Sequence, residues 1–139
     1  LLLSATRVRR IVTVVDPQFF EHAGGEQMFT LLVDRFYEGV ATDPILRPLY
    51  PEEDLRPAAE RLRLFLIQYW GGPNTYSQTR GHPRLRMRHT PFVIGEAQRD
   101  AWLRHMGAAI DSLELADDVR ATLWNYLAMA AESMRNSPT

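Results

Sequence analysis

Ten residues concentrate the chemistry of this chain. Arg80-Gly81-His82-Pro83-Arg84-Leu85-Arg86-Met87-Arg88-His89, followed by Thr90-Pro91, bring four arginines and two histidines together. His89 stands apart from the other histidines. Leu85 lies four residues before it, on the same helical face, so that face is apolar. Thr90-Pro91 ends a helix there and lets the ring lean out past the backbone. A neutral imidazole with its second nitrogen fixed is a good axial ligand for iron. The plainer reading is a surface or satisfied core histidine. That reading suits His22 beside a glycine turn, His82 before a proline, and His105 at the edge of an apolar stripe. Arg84, Arg86 and Arg88 read as a solvated face, as partners for acidic groups of a cofactor, or as a nucleic-acid patch. The last would need interleaved aromatics, and the stretch has none.

Three distant residues could complete a site. Tyr37 lies on an apolar helical stripe, Tyr50 sits between Leu49 and Pro51, and Trp102 stands in an apolar run. A buried phenol or indole needs a hydrogen-bond partner. Taken alone, each is equally well explained as core packing.

Composition narrows the chemistry. The chain has 139 residues, a formal net charge of −1 and no cysteine. That length suits one domain with a core of its own. Without cysteine there are no disulfides, iron–sulfur clusters, zinc fingers or thiol catalysis. Any metal must be held by His, Asp, Glu, Tyr or Met. Every basic residue is arginine, which excludes Schiff-base lysine chemistry. The charge balance favours neither nucleic acid nor membrane, and no apolar run reaches the roughly 18 residues of a membrane span. Residues 1–15 carry a basic patch and then Ile11-Val12-Thr13-Val14-Val15, too short for a signal-peptide core. They read as an extension, with the domain spanning 16–139.

The elements that must position these side chains are helical. Asp16-Pro17 is a helix-start signal, and the short helix after it stops at Ala23-Gly24-Gly25. Glu26 to Val40 reads as a helix with Phe29, Leu32, Val33, Phe36, Tyr37 and Val40 on one face. Asp43-Pro44 ends it, and Ile45 to Tyr50 reads as a turn or a single helical turn. Asp54 is expected to cap the next helix, whose buried stripe is Ala58, Leu62, Phe65, Leu66 and Tyr69, before Gly71-Gly72-Pro73 stops it. Residues 74–81 read as loop, and a short helix follows Pro83. A helix opening at Ile94 or Gly95 buries Leu103, Met106, Ile110 and Leu113. The last, capped by Asp117, repeats Val119, Leu123, Tyr126, Leu127, Ala130 and Met134. The expected class is all-α, with two antiparallel helix pairs around a less regular middle.

These motifs resemble those of the group II truncated haemoglobins, the actinobacterial members above all. The likeness runs from about Asp16 to Pro138. It is carried by Gly24-Gly25, Arg35-Phe36-Tyr37, Leu49-Tyr50-Pro51-Glu52-Glu53-Asp54-Leu55, Glu60-Arg61-Leu62-Arg63, Gln68-Tyr69-Trp70-Gly71-Gly72-Pro73, Tyr76-Ser77, the stretch 80–89, and Arg99-Asp100-Ala101-Trp102-Leu103. It implies a truncated globin, a two-over-two helical sandwich around haem b (iron protoporphyrin IX). His89 matches the proximal ligand, with Leu85 on its face. Tyr37, Tyr50 and Trp102 match distal residues that face bound ligand. Ala58 stands where larger globins carry a distal histidine, and Leu62 one turn on. Arg61, Tyr76, Arg86 and Arg88 match residues near the propionates.

The implied function is reversible binding of O2, for storage or transport, with CO and NO as further diatomic ligands. An indole only donates, whereas a phenol donates or accepts, so a chain from phenol to phenol to ligand is available. The same donors would suit nitric oxide or peroxide detoxification. That would require an external reductase, since the sequence has no flavin- or nicotinamide-binding domain. An oxygen-binding protein is expected ahead of a dedicated enzyme, so no catalytic residue is assigned. A cytoplasmic location is expected, and a homo-oligomer is left open. A helical interaction module using the arginine stretch is the remaining alternative.

Overall fold

The structure, a computed structural model, describes residues 18–138. The expectations for residues 1–15 and for the Asp16-Pro17 helix start lie outside the described residues. Those described form α1 (Phe19–His22), α2 (Gly25–Val40), a 3₁₀ turn (Arg47–Leu49), α3 (Arg56–Tyr69), α4 (Thr75–Arg80), α5 (Leu85–His89), α6 (Glu96–Ser112) and α7 (Asp117–Ser133). No strand occurs among them. The class is all-α, as the periodicities predict.

α2 is the centre of the molecule. It packs against α3 and against α6, and α6 packs against α7. Two helix pairs, α2 with α3 and α6 with α7, are thus laid over each other. Phe29, Leu32, Val33, Phe36 and Val40 of α2 are almost wholly buried. They meet Leu66 and Ile67 of α3, Ala101, Met106 and Ile110 of α6, and Val119, Leu123 and Leu127 of α7. Each large apolar side chain buried this way contributes about 1.5–3 kcal/mol against its exposed state. The chain turns from α1 into α2 at Gly24, with φ 116°. A Cβ there would lie 2.9 Å from Met28 Cβ, so only glycine fits.

Several local expectations are corrected. Residues 74–81 are not loop. Gln68 accepts the Ser77 N–H at 2.9 Å and donates to Ser77 Oγ at 2.7 Å, which pins the turn of α4 to α3. Asp117 is the first residue of α7 rather than its cap, which is Ala116; Asp117 and Asp118 lie in the first turn, where the helix dipole favours acids. Asp54 is not the cap of α3, which is Leu55. Its carboxylate still accepts the Arg56 N–H at 2.9 Å, and Pro57 has no N–H to satisfy.

The stripe of α3 is split. Ala58 and Leu66 are buried, but Leu62, Phe65 and Tyr69 are half-buried, while Ile67 and Trp70 go into the core. On α6, Met106 and Ile110 are buried with Ala101 and Ala109, and Leu103 and Leu113 are half-buried. On α7, Ala131 is buried, whereas Tyr126, Ala130 and Met134 are half-covered. Alanine lets the helices approach closely, and the larger side chains turn to the margins of the core.

Candidate haem pocket

The distal candidates come together around one ring. Phe36, fully buried on α2, lies 5.0 Å from the ring of Tyr37 and 5.2 Å from that of Trp102. Tyr37 meets Tyr50 edge-on at 5.6 Å. Residues 37, 50 and 102, far apart in sequence, are therefore one aromatic group. The Tyr37 hydroxyl donates to the Tyr50 hydroxyl at 3.4 Å. Tyr50 then keeps its own proton for another acceptor. Burial, reinforced by Tyr50, pushes the Tyr37 phenol well above its ordinary pKa. Burial likewise raises that of Tyr50. Both phenols stay protonated at neutral pH.

The two α3 candidates on the distal side are apolar. Ala58 is 4% exposed and brings no donor. Leu62, one turn on, is half-buried against the core. Arg61 pairs with Glu52 at 3.1 Å. A backbone hydrogen bond and then Arg61 hold the Glu52 carboxyl below the usual carboxylate value.

His89 is the last residue of α5 and is half-buried. Its Nδ1 lies 2.6 Å from the backbone carbonyl oxygen of Leu85. A carbonyl only accepts, so Nδ1 carries the proton and donates it. Nε2 is left with its lone pair and has no hydrogen bond among the described residues. That tautomer is the one a metal-binding imidazole requires. Leu85 thus acts through its carbonyl as well as its side chain, a role that residue type does not show. Among the described residues no three His, Asp or Glu side chains converge as they would to hold a metal without a cofactor. A single imidazole with its tautomer fixed by Leu85 O, and no second cluster of ligating side chains among the described residues, fits haem rather than a bare ion.

The arginines divide in use. Arg88 donates to the carbonyls of Pro83 at 2.6 Å, Arg80 at 3.0 Å and His82 at 3.4 Å. Its guanidinium lies 6.0 Å from the ring centre of buried Tyr76, and that of Arg80 lies 5.8 Å from it. Arg88 therefore straps the loop before the helix that carries His89, and Tyr76 is the platform beneath it. Arg86 is exposed and lines a shallow groove with Glu132, Ser133 and Arg135 at the end of α7.

Sequence reasoning missed Asn136. Its Nδ2 donates to Phe92 O at 2.8 Å and His89 O at 3.3 Å, and its Oδ1 accepts the Ile94 N–H at 2.8 Å. One side chain thus holds both ends of the segment from His89 to Ile94. Nothing in its neighbourhood, Arg135-Asn136-Ser137, signals this.

The sequence profile of the bacterial-like globins matches residues 18–136. The chain belongs to this family. Within it, the chain is a group II truncated haemoglobin. It is 44% identical over 112 residues to Group 2 truncated hemoglobin YjbI of Bacillus subtilis (strain 168), covering 81% of this chain and 84% of that one. The thermostable hemoglobin of the actinobacterium Thermobifida fusca superposes with a TM-score of 0.85 at 64% identity, over 87% of this chain and 98% of that one. The truncated oxygen-avid haemoglobin from Bacillus subtilis gives 0.80 at 42%, over 85% and 98%. This truncated haemoglobin is a haem-binding globin with the two-over-two fold, α2 and α3 forming one layer and α6 and α7 the other. No helix among its described residues is long and apolar enough to cross a membrane.

Proposed function

We propose that this globin binds O2 reversibly on haem b, held by His89 Nε2 on one side and faced by Tyr50, Tyr37 and Trp102 on the other. The observation that carries this is the grouping of Tyr37, Tyr50 and Trp102 about Phe36, with the Tyr37 proton spent on Tyr50 and the Tyr50 proton free. Haem, held through His89, would supply the iron that takes the gas. Leu85 O holds the His89 tautomer. Tyr37 orients the Tyr50 hydroxyl, and both Tyr50 and the Trp102 indole, which can only donate, give a hydrogen bond to the ligand, the indole being the main brake on release. Ala58 adds no hydrogen bond and leaves space beside Leu62 for a diatomic molecule. Arg61, Tyr76 and Arg86 are assigned to the propionates by family likeness, while Arg88 secures the loop before His89. The oxygen avidity of the Bacillus subtilis relative supports the reading. Storage or carriage of O2 needs only these parts, and nitric oxide or peroxide turnover needs an external reductase as well.

Stopped-flow release of O2 from the ferrous protein tests it. Losing a hydrogen bond to a strongly polar acceptor costs about 1.5–3 kcal/mol. That predicts at least about tenfold faster release for Trp102→Phe, at about 1.4 kcal/mol per factor of ten. Tyr50→Phe and Tyr37→Phe should follow in that order. Unchanged release in Trp102→Phe, with rapid release in Tyr37→Phe, would reduce the indole to packing.

A further inference from the structure

Asp43 is the only charged residue in the buried class among the described residues, at 6% exposure. One carboxylate oxygen accepts the N–H groups of Ile45 at 2.7 Å and Leu46 at 3.0 Å. The other accepts Arg104 Nη2 at 3.1 Å and His105 Nε2 at 2.6 Å. The first pair shapes the turn that follows α2. The second ties that turn to α6, one helical turn beyond Trp102. The His105 ring occupies space that only glycine leaves open: a Cβ on Gly39 would lie 2.3 Å from His105 Nδ1. Asp43, Gly39 and His105 thus form one joint between α2, the turn and α6.

Arg47 grips the other end of the turn. Its N–H donates to Asp43 O at 2.9 Å, and its own carbonyl accepts the Tyr50 N–H at 3.1 Å. Its guanidinium donates to the carbonyls of Tyr50, Glu52 and Glu53, each at 2.9 Å. Both peptide groups flanking Tyr50 are therefore fastened to one residue. A planar guanidinium with five donors can serve three carbonyls at once, which an ammonium cannot match. Buried ion pairs stabilise weakly once desolvation is counted, and their best-attested use is to fix one arrangement among several. Asp43 and Arg47 spend their polar groups on the backbone that aims Tyr50 and on the helix that carries Trp102.

We propose that Asp43 and Arg47 are positioning residues of the distal pocket, setting through the 43–50 turn and α6 the direction in which Tyr50 and Trp102 present their protons to the ligand. The inference rests on the reading of Tyr50 and Trp102 as ligand donors. It predicts that loosening the turn redirects the donors without emptying the pocket.

The test compares wild type, Arg47→Met, Arg47→Lys and Asp43→Asn, each in the native and the Tyr50→Phe background. Arg56→Met is the control, since that guanidinium pairs with exposed Asp54 and does not touch the Tyr50 backbone. The readouts are O2 release, the infrared C–O stretch of the carbon monoxide complex, and amide exchange of Leu49 and Tyr50 in the haem-free protein. Arg47→Met should speed O2 release about fivefold, as expected when a ligand hydrogen bond is misdirected but not deleted. The C–O band should split or broaden, and the two amides should exchange faster. Arg47→Lys should fall between Met and wild type, and Asp43→Asn should resemble Arg47→Met. With Tyr50→Phe already present, Arg47→Met should add less than about twofold, because residues acting through one group are not additive. Should Arg47→Met not fold, Arg47→Lys and Asp43→Asn carry the same comparison. An unchanged C–O band and release rate, or an equal effect in both backgrounds, overturns the proposal while leaving Tyr50 as a donor. Unchanged release in Tyr50→Phe alone overturns the donor reading, and the positioning role with it.

Discussion

The two walls of the candidate pocket, distal at Tyr37, Tyr50 and Trp102 and proximal at His89, are built differently. The distal wall is part of the protein's own core: Phe36 and Leu46 are buried, Asp43 is fully bonded, and Tyr37, Tyr50 and Trp102 pack around them. The proximal wall has little core beneath it. No residue of α5 is buried. The helix is held by hydrogen bonds to its flanking carbonyls, from Arg88 on one side and Asn136 on the other. Hydrogen bonds of this kind contribute modestly and only in one geometry, whereas apolar burial stabilises regardless of direction. On this packing, the side that carries Tyr37, Tyr50 and Trp102 is expected to keep its shape when haem is removed, and the His89 side to loosen.

The largest expected effect tests which side depends on the other. His89→Ala should abolish the Soret absorbance of the purified protein or leave it weak, while His82→Ala retains it. The reverse result would move the ligand to His82. Removing haem from the wild type should sharpen the contrast. Amides of residues 85–94 should lose protection strongly, and those of 45–50 should change little, by hydrogen exchange with mass spectrometry. Equal loss in both segments would show that the distal wall is not pre-formed.

A smaller effect is expected at Asn136. Asn136→Ala removes its three side-chain hydrogen bonds and should cost about 1–2 kcal/mol of stability. It should also raise the rate of haem transfer to an acceptor globin, with O2 release unchanged. A change confined to O2 release would contradict a proximal role.

The smallest concerns acid. The His105 hydrogen bond, followed by those of Leu46, Ile45 and Arg104, holds the Asp43 carboxyl well below its ordinary value. A depressed carboxyl contributes stability that is fully present above its unfolded pKa near 4, and lost as pH falls through its native value. The denaturation midpoint of wild type should exceed that of Asp43→Asn by a constant margin from pH 7 to about 5. That margin should narrow below about pH 4. A margin that widened in acid would show that Asp43 is not held as the carboxylate.

The helices that carry the site are legible in the sequence, since their cause is local. Apolar side chains repeating at three and four residues along α2, α6 and α7 predict the elements and the face each turns inward. The ends of α1 and α3 follow from Gly24-Gly25 and Gly71-Gly72-Pro73. α4 does not, because what makes it helical is Gln68, nine residues from Ser77 on another helix. The half-buried margin of α3 is equally hidden. Leu62 and Leu66 are the same residue type one turn apart, and only the packing of neighbouring helices distinguishes a wall of the core from a wall of the pocket.

For the candidate site, residue type and family likeness name His89, Tyr37, Tyr50 and Trp102. The sequence by itself determined that an imidazole would end a short helix, that Tyr37 would stand on an apolar face, and that Trp102 would stand beside one. These properties depend on neighbours within a few residues. Only the tertiary structure decided that the imidazole proton goes to Leu85 O, that Tyr37 donates to Tyr50, and that Asp43 reaches His105, 62 residues away. It also turned Arg88, which residue type would offer to an acidic cofactor, back onto three carbonyls of its own loop. A hydrogen bond forms within a few tenths of an ångström or not at all. Its partners are therefore fixed only when packing has brought distant segments to within that tolerance.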